Sequence, residues 1–163
     1  MMNKISALTL SLALLLAACS GGNQESKDDS TQNEKNMFTG AKGEVKLINL
    51  DPGHFHAALV QKSMYTQIDP RVYVYAPEGS DVQDYLKMIN GYNTRAESPT
   101  SWDEVVYTGP DYLEKMLSEK PGNVMVMAGN NKKKTEYILK TIQAGINVLA
   151  DKPMVINKAG FSD

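Results

Sequence analysis

One lysine of this chain stands where a protein that handles small molecules could use it. Gly145 is placed to end a helix, residues 146–150 have the apolar character of a short strand, and Asp151, Lys152 and Pro153 follow. Ligands of open parallel α/β sheets bind outside the carboxyl ends of the strands. A lysine at such an end can donate a proton or hold an anionic oxygen. Lys152 is therefore our candidate catalytic residue, and a salt bridge at the sheet edge is the alternative interpretation.

The turn after the first strand carries a second set of candidates, because residues 51–56 have the sequence DPGHFH. In a dinucleotide-binding fold, glycines in this turn let the backbone approach a pyrophosphate group. Only Gly53 is kept here, since Asp51 and His56 occupy the places of the first and third glycines. We assign Asp51, Gly53, His54 and Phe55 to cofactor contacts. The alternatives are that Asp51 caps the helix, that His56 packs behind the turn and that His54 faces solvent.

The two histidines also raise the question of a metal site. A one-residue spacing directs two side chains to the same side on a strand, but not at the start of a helix. The chain has no third histidine, and its one cysteine, Cys19, lies far away in the sequence. The pattern therefore predicts no metal site.

The acidic residue Glu78 follows the second predicted strand, about twenty residues beyond the glycine turn. A carboxylate at this place can accept hydrogen bonds from ribose hydroxyl groups of a dinucleotide. Glu78 is accordingly predicted to contact the cofactor. The alternative is a carboxylate that only stabilises the N-terminus of the next helix, beside Ser80 and Asp81.

Apolar runs alternate with helical patterns along the rest of the chain. The predicted strands are residues 45–50, 71–75, 105–107, 124–127 and 146–150. The predicted helices begin near Phe55, at Ser80 or Asp81, at Asp111 and at Asn130 or Asn131, and they end near Met64, Gly91, Pro121 and Gly145. Such alternation predicts an α/β fold with about five parallel strands in a single domain.

The N-terminal part has a different character. Residues 1–18 are mostly apolar after a weakly basic start, and the run is shorter than the roughly 20 residues of a membrane span. Small residues before Cys19 resemble a bacterial lipobox, which implies lipid attachment at Cys19 and anchoring in the cell envelope, in the periplasm or facing the surface. Residues 19–43 are polar and predict a flexible tether. The predicted domain is then residues 44–163.

Residues 144–153, AGINVLADKP, resemble the closing motif of the N-terminal domain of the Gfo/Idh/MocA oxidoreductases, in which a strand is followed by Glu-Lys-Pro. Asp151 replaces the usual glutamate. The resemblance extends over roughly residues 44–163 and implies a Rossmann-type, doubly wound sheet that binds NAD or NADP. It also implies that Lys152 lies near the nicotinamide, with Asp151 and Pro153 beside it. Asn130 and Asn131 correspond to a loop that lines the cofactor.

The same resemblance has two departures. A histidine often follows in the cofactor-lining loop, whereas this chain has Lys132, Lys133 and Lys134. We expect these lysines to form a solvated helix face, and phosphate binding by the run is the alternative. Family members also continue into a second domain that supplies most substrate contacts. The 163 residues cannot encode that domain, so we expect cofactor-binding architecture without a complete active site.

Three functional hypotheses remain open. The first is hydride transfer between a sugar or polyol and a nicotinamide cofactor. The second is NAD-dependent glycoside cleavage, which suits an exported protein that must hold its cofactor tightly. The third is a non-catalytic domain that has lost nucleotide affinity.

A net charge of −2 without a basic stripe argues against nucleic-acid binding. A homo-oligomer is compatible with the sequence.

Overall fold

The computed structural model of the protein describes residues 37–161. The predicted signal peptide, the lipidation site Cys19 and most of the predicted tether lie outside these residues and stay predictions. Within residues 37–161, none of the helices has the length and apolar character needed to cross a membrane.

The strands form one five-stranded sheet with the spatial order β3-β2-β1-β4-β5. They are β1 (Leu47–Leu50), β2 (Arg71–Ala76), β3 (Asp103–Thr108), β4 (Val124–Met127) and β5 (Asn147–Ala150). Every neighbouring pair is parallel. The chain moves outward from β1 to β3 and then returns to the other side of β1 for β4. This order confirms the predicted α/β, Rossmann-type doubly wound sheet, and it places the point where strand order reverses between β1 and β4.

Helices cover both faces of the sheet. They are α1 (His56–Leu59), α2 (Ser80–Thr94), α3 (Tyr112–Glu119) and α4 (Lys134–Gln143), followed by a 3₁₀ turn at Lys158–Phe161. One hydrophobic core packs α1 and α2 against the sheet, and a second packs α3 and α4. The central strand β1 is buried at all four positions, as expected of a strand that is covered on both faces.

Helix α1 is shorter than the sequence pattern predicts. It ends at Leu59 instead of near Met64, and the chain continues through tight turns in which Gln61 N donates to Ala58 O. The Gln61 carbonyl oxygen accepts a hydrogen bond from Trp102 Nε1 at 2.5 Å. Because a tertiary partner takes this carbonyl, the backbone leaves the helical path earlier than local periodicity indicates.

Two predicted helix signals also act differently in the structure. Gly91 lies inside α2, where its carbonyl accepts from Arg95 N, and the helix continues to Thr94. Asp111 precedes α3, but its carboxylate accepts the Tyr107 hydroxyl at 2.5 Å and caps no helix amide. For Asp111, the contact with Tyr107 explains why the carboxylate does not cap the helix.

The segment just before the predicted domain boundary is hydrogen-bonded to the domain. The Glu44 carboxylate accepts hydrogen bonds from the backbone amides of Thr39, Gly40 and Ala41 at 2.8–3.0 Å. Gly43 N donates to Thr66 O at 3.0 Å. Within the described residues, hydrogen bonds to the domain thus reach back to Thr39, a few residues before the boundary that composition indicates.

Candidate functional site

The turns that follow β1 and β4 touch each other at the reversal point of the sheet. His54 N donates to Ala128 O at 3.1 Å. Gly129 has a φ of +131°, and a Cβ atom on it would lie 2.5 Å from Gly53 N. Only glycine at position 129 allows this approach, because a side chain there would meet backbone. Gly129 was not among the predicted site residues.

Asp51 joins the same two turns through its side chain. Its Oδ2 accepts hydrogen bonds from Asn130 Nδ2 at 2.7 Å and from the Tyr137 hydroxyl at 2.9 Å. The residue is 5% exposed. The interpretation of Asp51 as a helix cap is wrong, since α1 has no side-chain cap and the carboxylate is engaged elsewhere. We assign to Asp51 the role of holding the two turns together, and a cofactor contact by it stays a prediction.

A row of hydroxyl groups continues from Asp51 toward the surface. The Tyr137 hydroxyl contacts that of Tyr112, which in turn accepts from Lys133 Nζ at 3.1 Å. Burial, together with these hydrogen bonds and the Asp51 charge, raises the pKa of Tyr137 far above its ordinary value. The hydrogen bond to Tyr112 also raises the pKa of Lys133. Tyr137 and Lys133 therefore keep their protons, and a cationic group faces a carboxylate through two hydroxyls.

His54 and His56 converge on Asp151, which comes from the end of β5. His56 Nδ1 lies 2.7 Å from Asp151 Oδ2, and His54 Nδ1 lies 3.9 Å from the same oxygen. The two imidazole rings are in edge contact, with centroids 4.4 Å apart. The expectation that these side chains diverge is wrong, because His54 precedes α1 and helical geometry does not apply to it. Hydrogen bonding from His56, opposed by desolvation, lowers the pKa of Asp151.

Lys134 fixes the backbone that carries Asp151 and Lys152. Its Nζ donates to Asp151 O at 2.9 Å and lies 3.4 Å from Lys152 O. The expectation of a solvated face is wrong for Lys134, which is 1% exposed, while Lys132 is exposed. Desolvation lowers the pKa of Lys134. The signal was present in the sequence, because Lys134 shares helical spacing with the buried residues Tyr137 and Thr141.

Asn130 and Asn131 do not cap α4. The helix begins at Lys134 with Lys133 at the cap position, and the two asparagines lie in the preceding turn. Asn130 has a φ of +33°, a conformation that asparagine tolerates better than most residues. Both residues instead face the crevice described next.

A cavity of about 270 Å³ lies where the ends of β1, β4 and β5 meet. Seven of the predicted site residues line it, together with Gly129, which was not predicted. The lining residues are Gly53, His54, Gly129, Asn130, Asn131, Asp151, Lys152 and Pro153. The peptide bond between Lys152 and Pro153 is cis. The tertiary structure therefore brings together residues up to 100 positions apart at the strand ends where the sequence predicts ligand binding.

Two further depressions adjoin the first turn. One of about 370 Å³ lies between this turn and α2 and is lined by the predicted residues Gly53, His54 and Phe55. The carboxylates of Asp81 and Asp84 also line it, so this depression is more acidic than is expected of a phosphate-binding site. The other, of about 150 Å³, is lined by Asp51 and Glu78 among others. Glu78 is exposed there, just before α2, at the end of β2.

Comparison with known proteins identifies a similar solved structure. A crystal structure from Parabacteroides merdae ATCC 43184, described as a "putative oxidoreductase", is 71% identical in sequence and matches with a TM-score of 0.76. The match covers 77% of this chain and 28% of that chain. No family model and no curated protein matches the sequence. The chain thus has the fold found in part of a protein described as an oxidoreductase, and it spans less than a third of that protein's length.

Proposed function

We propose that the chain is the nucleotide-binding domain of an oxidoreductase similar to the Gfo/Idh/MocA family, with NAD or NADP held at the strand ends of β1, β4 and β5. The crystal structure from Parabacteroides merdae supports an oxidoreductase of this fold. In doubly wound sheets, nucleotides occupy the crevice at the reversal point of strand order. A sugar or polyol is proposed as the substrate because the closing motif resembles that of the Gfo/Idh/MocA oxidoreductases.

The observation that carries the proposal is the position of Lys152. This lysine lines the same cavity of about 270 Å³ as Gly53 and Gly129. The backbones of these two glycines pack closely where the turns after β1 and β4 meet. A ligand that rests on the glycine turn is thereby within reach of an ammonium group. The five-stranded sheet thus presents a cation at the end of its last strand.

The chain's own residues would orient the reactants and handle a proton. A nicotinamide cofactor, when bound, supplies the hydride acceptor. Lys152 would hold the substrate oxygen as negative charge develops on it, or accept its proton. Lys134 supports this role indirectly, because its bonds to Asp151 O and Lys152 O fix the backbone on which Lys152 is mounted.

The first turn is unusual for a phosphate-binding element. Helix α1 has only four residues, so its dipole contributes less than that of a full helix. Asp81 and Asp84 line the depression on the α2 side, where they oppose an anionic ligand, and Lys87 lines it with the opposite charge. Affinity must therefore come from backbone amides and from contacts at the β4 and β5 turns. This charge pattern is the observation that favours the third hypothesis, a domain without nucleotide affinity.

Calorimetric titration of the full chain with NAD and with NADP tests the proposal. We expect saturable binding of one nucleotide per chain. Lys152→Glu should weaken it at least tenfold, because the substitution reverses the charge that faces the ligand. Lys42→Glu is the matched control, since Lys42 is exposed and lies on the segment before β1. Equal affinities of wild type and Lys152→Glu would reject the proposed role of Lys152, and absence of binding to wild type would favour the non-catalytic hypothesis.

A further inference from the structure

We propose that His54, His56 and Asp151 form a binding site for one divalent transition-metal ion of the zinc type. Each of the three side chains offers one ligand atom, and these atoms all lie within 4.8 Å of one another. Two ligands come from the turn after β1, and the third comes from the end of β5, 95 positions away from His56. The argument for this site does not rest on the proposed binding of a nucleotide.

The distances fit a site that needs small side-chain rotations to close on an ion. Zinc bonds of about 2.0–2.2 Å in tetrahedral geometry put ligand atoms roughly 3.4 Å apart. The two separations measured from Asp151 Oδ2 are 2.7 Å and 3.9 Å, which lie on either side of that value. The shorter one is a hydrogen bond, so the ion would take the place of the proton between His56 Nδ1 and the carboxylate.

Neighbouring contacts already orient the proposed ligands. Asp151 Oδ1 accepts a hydrogen bond from Lys152 N at 2.8 Å, which leaves Oδ2 directed at the two imidazoles. His54 N donates to Ala128 O, and this bond holds the turn from which His54 projects. Support of this kind for ligand side chains is usual around protein metal sites.

The composition of the site selects the class of ion. Two neutral imidazoles and one carboxylate suit Zn²⁺, Co²⁺, Ni²⁺ or Fe²⁺, whereas Mg²⁺ and Ca²⁺ prefer oxygen ligands alone. Three protein ligands leave a coordination position open, as in catalytic rather than structural zinc sites. The side chains of His54, His56 and Asp151 are 44%, 31% and 22% exposed, so water or a ligand oxygen can reach that position.

The site also borders the cavity that Lys152 lines, because His54 and Asp151 belong to that cavity's wall. A metal ion there would present a Lewis acid to an oxygen atom of a molecule bound in the cavity. The turn after β1 and the segment after β5 would together hold this charged centre. Neither of them contains all three ligands by itself.

The test is titration of the full chain with ZnCl₂ and CoCl₂ in the absence of nucleotide. We expect one equivalent to bind, with a rise in melting temperature and, for Co²⁺, a visible absorption band of a low-coordinate ion. His54→Ala, His56→Ala and Asp151→Asn should each weaken Zn²⁺ binding at least tenfold. Glu97→Gln should leave it unchanged, since Glu97 is an exposed carboxylate on the loop before β3, at the opposite edge of the sheet.

A second readout keeps the result independent of folding defects. Long-range ¹H–¹⁵N spectra of the wild-type chain, which has two histidines, should show zinc-induced shifts of one imidazole nitrogen in each ring. Zinc binding that survives His56→Ala, or histidine nitrogens that do not respond to zinc, would overturn the proposal. Nucleotide binding could persist in either case, so failure here is distinguishable from failure of the proposed function.

Discussion

Replacement of Glu104 by glutamine should remove a pH-dependent cost to stability. Glu104 lies on β3 and shares a buried cluster with Gln61 and Tyr85. Burial, which is the largest cause, raises the pKa of Glu104 to about 7, against the lowering effect of hydrogen bonds from the other two. Gln61 Nε2 donates to Glu104 Oε1 at 2.5 Å, and the Tyr85 hydroxyl lies 3.1 Å from Glu104 Oε2.

The three side chains of the cluster can form a complete set of hydrogen bonds with one another only when Glu104 is protonated. The single Tyr85 proton is directed at Gln61 Oε1, so a protonated Glu104 Oε2 can donate to the Tyr85 oxygen and complete a closed ring of hydrogen bonds. When Glu104 is ionised, two oxygens compete for that one proton. A glutamine side chain at position 104 can donate an amide proton to Tyr85 and still accept from Gln61, so it reproduces the protonated arrangement.

The magnitude follows from the difference between the folded-state pKa and the ordinary value of 4.5. A carboxyl group whose pKa is raised on folding contributes stability at low pH, and that contribution is lost as pH rises from about 4.5 through 7. With a folded pKa of about 7, the linkage relation makes the cost about 0.8 kcal/mol at pH 5 and about 3.3 kcal/mol at pH 8. The advantage of Glu104→Gln over wild type should therefore grow by about 2.5 kcal/mol between these pH values.

Urea unfolding of both proteins at pH 5 and pH 8 measures this difference. The fluorescence of Trp102, the only tryptophan, reports on the same region because its indole nitrogen donates to Gln61 O. Titration of other groups cancels in the comparison of the two proteins. Glu97→Gln, which alters an exposed carboxylate, should show a pH-independent difference from wild type. An equally constant difference for Glu104→Gln would refute the reasoning about burial.

Two further predictions concern the crevice. Gly129→Ala should lower the free energy of unfolding by about 2–4 kcal/mol, because the added Cβ meets the Gly53 backbone at 2.5 Å and the positive φ is strained. Gly91→Ala, at an open position inside α2, should instead be neutral or stabilising by about 0.5–1 kcal/mol in the same denaturation assay; similar losses in both variants would contradict the packing argument. Lys134→Met should speed amide hydrogen exchange in residues 151–155 about tenfold, since two carbonyls lose a charged donor worth roughly 1.5 kcal/mol. Lys132→Met, at an exposed position, should leave exchange unchanged, and unaltered exchange in Lys134→Met would show that the ammonium group does not hold this segment.

The amino-acid sequence determined the class of fold and the edge of the sheet at which the candidate site lies. The apolar run at residues 124–127 lies inside the parallel sheet and is largely buried, so its continuous hydrophobicity identified it as a strand without knowledge of its partners. Residues 146–150 were identified from their apolar character, although β5 lies at the edge of the sheet and Leu149 is 50% exposed. The alternation of strands and helices then fixed the parallel arrangement, because short crossovers allow few others. Lys152 could be identified as a candidate from the sequence, because it comes directly after the end of a predicted strand.

Only the tertiary structure decided which side chains meet. Local spacing argued that His54 and His56 diverge, yet both approach Asp151, because β1 and β5 end at the same edge of the sheet although His56 and Asp151 are 95 positions apart in the sequence. Lys134 belongs to a run of three lysines that looks solvated, but the packing of α4 directs this one ammonium group at the carbonyls after β5. Contacts between segments that are distant in the sequence depend on how the helices pack and on the conformation of the turns. Neither of these can be read from a single amino-acid sequence.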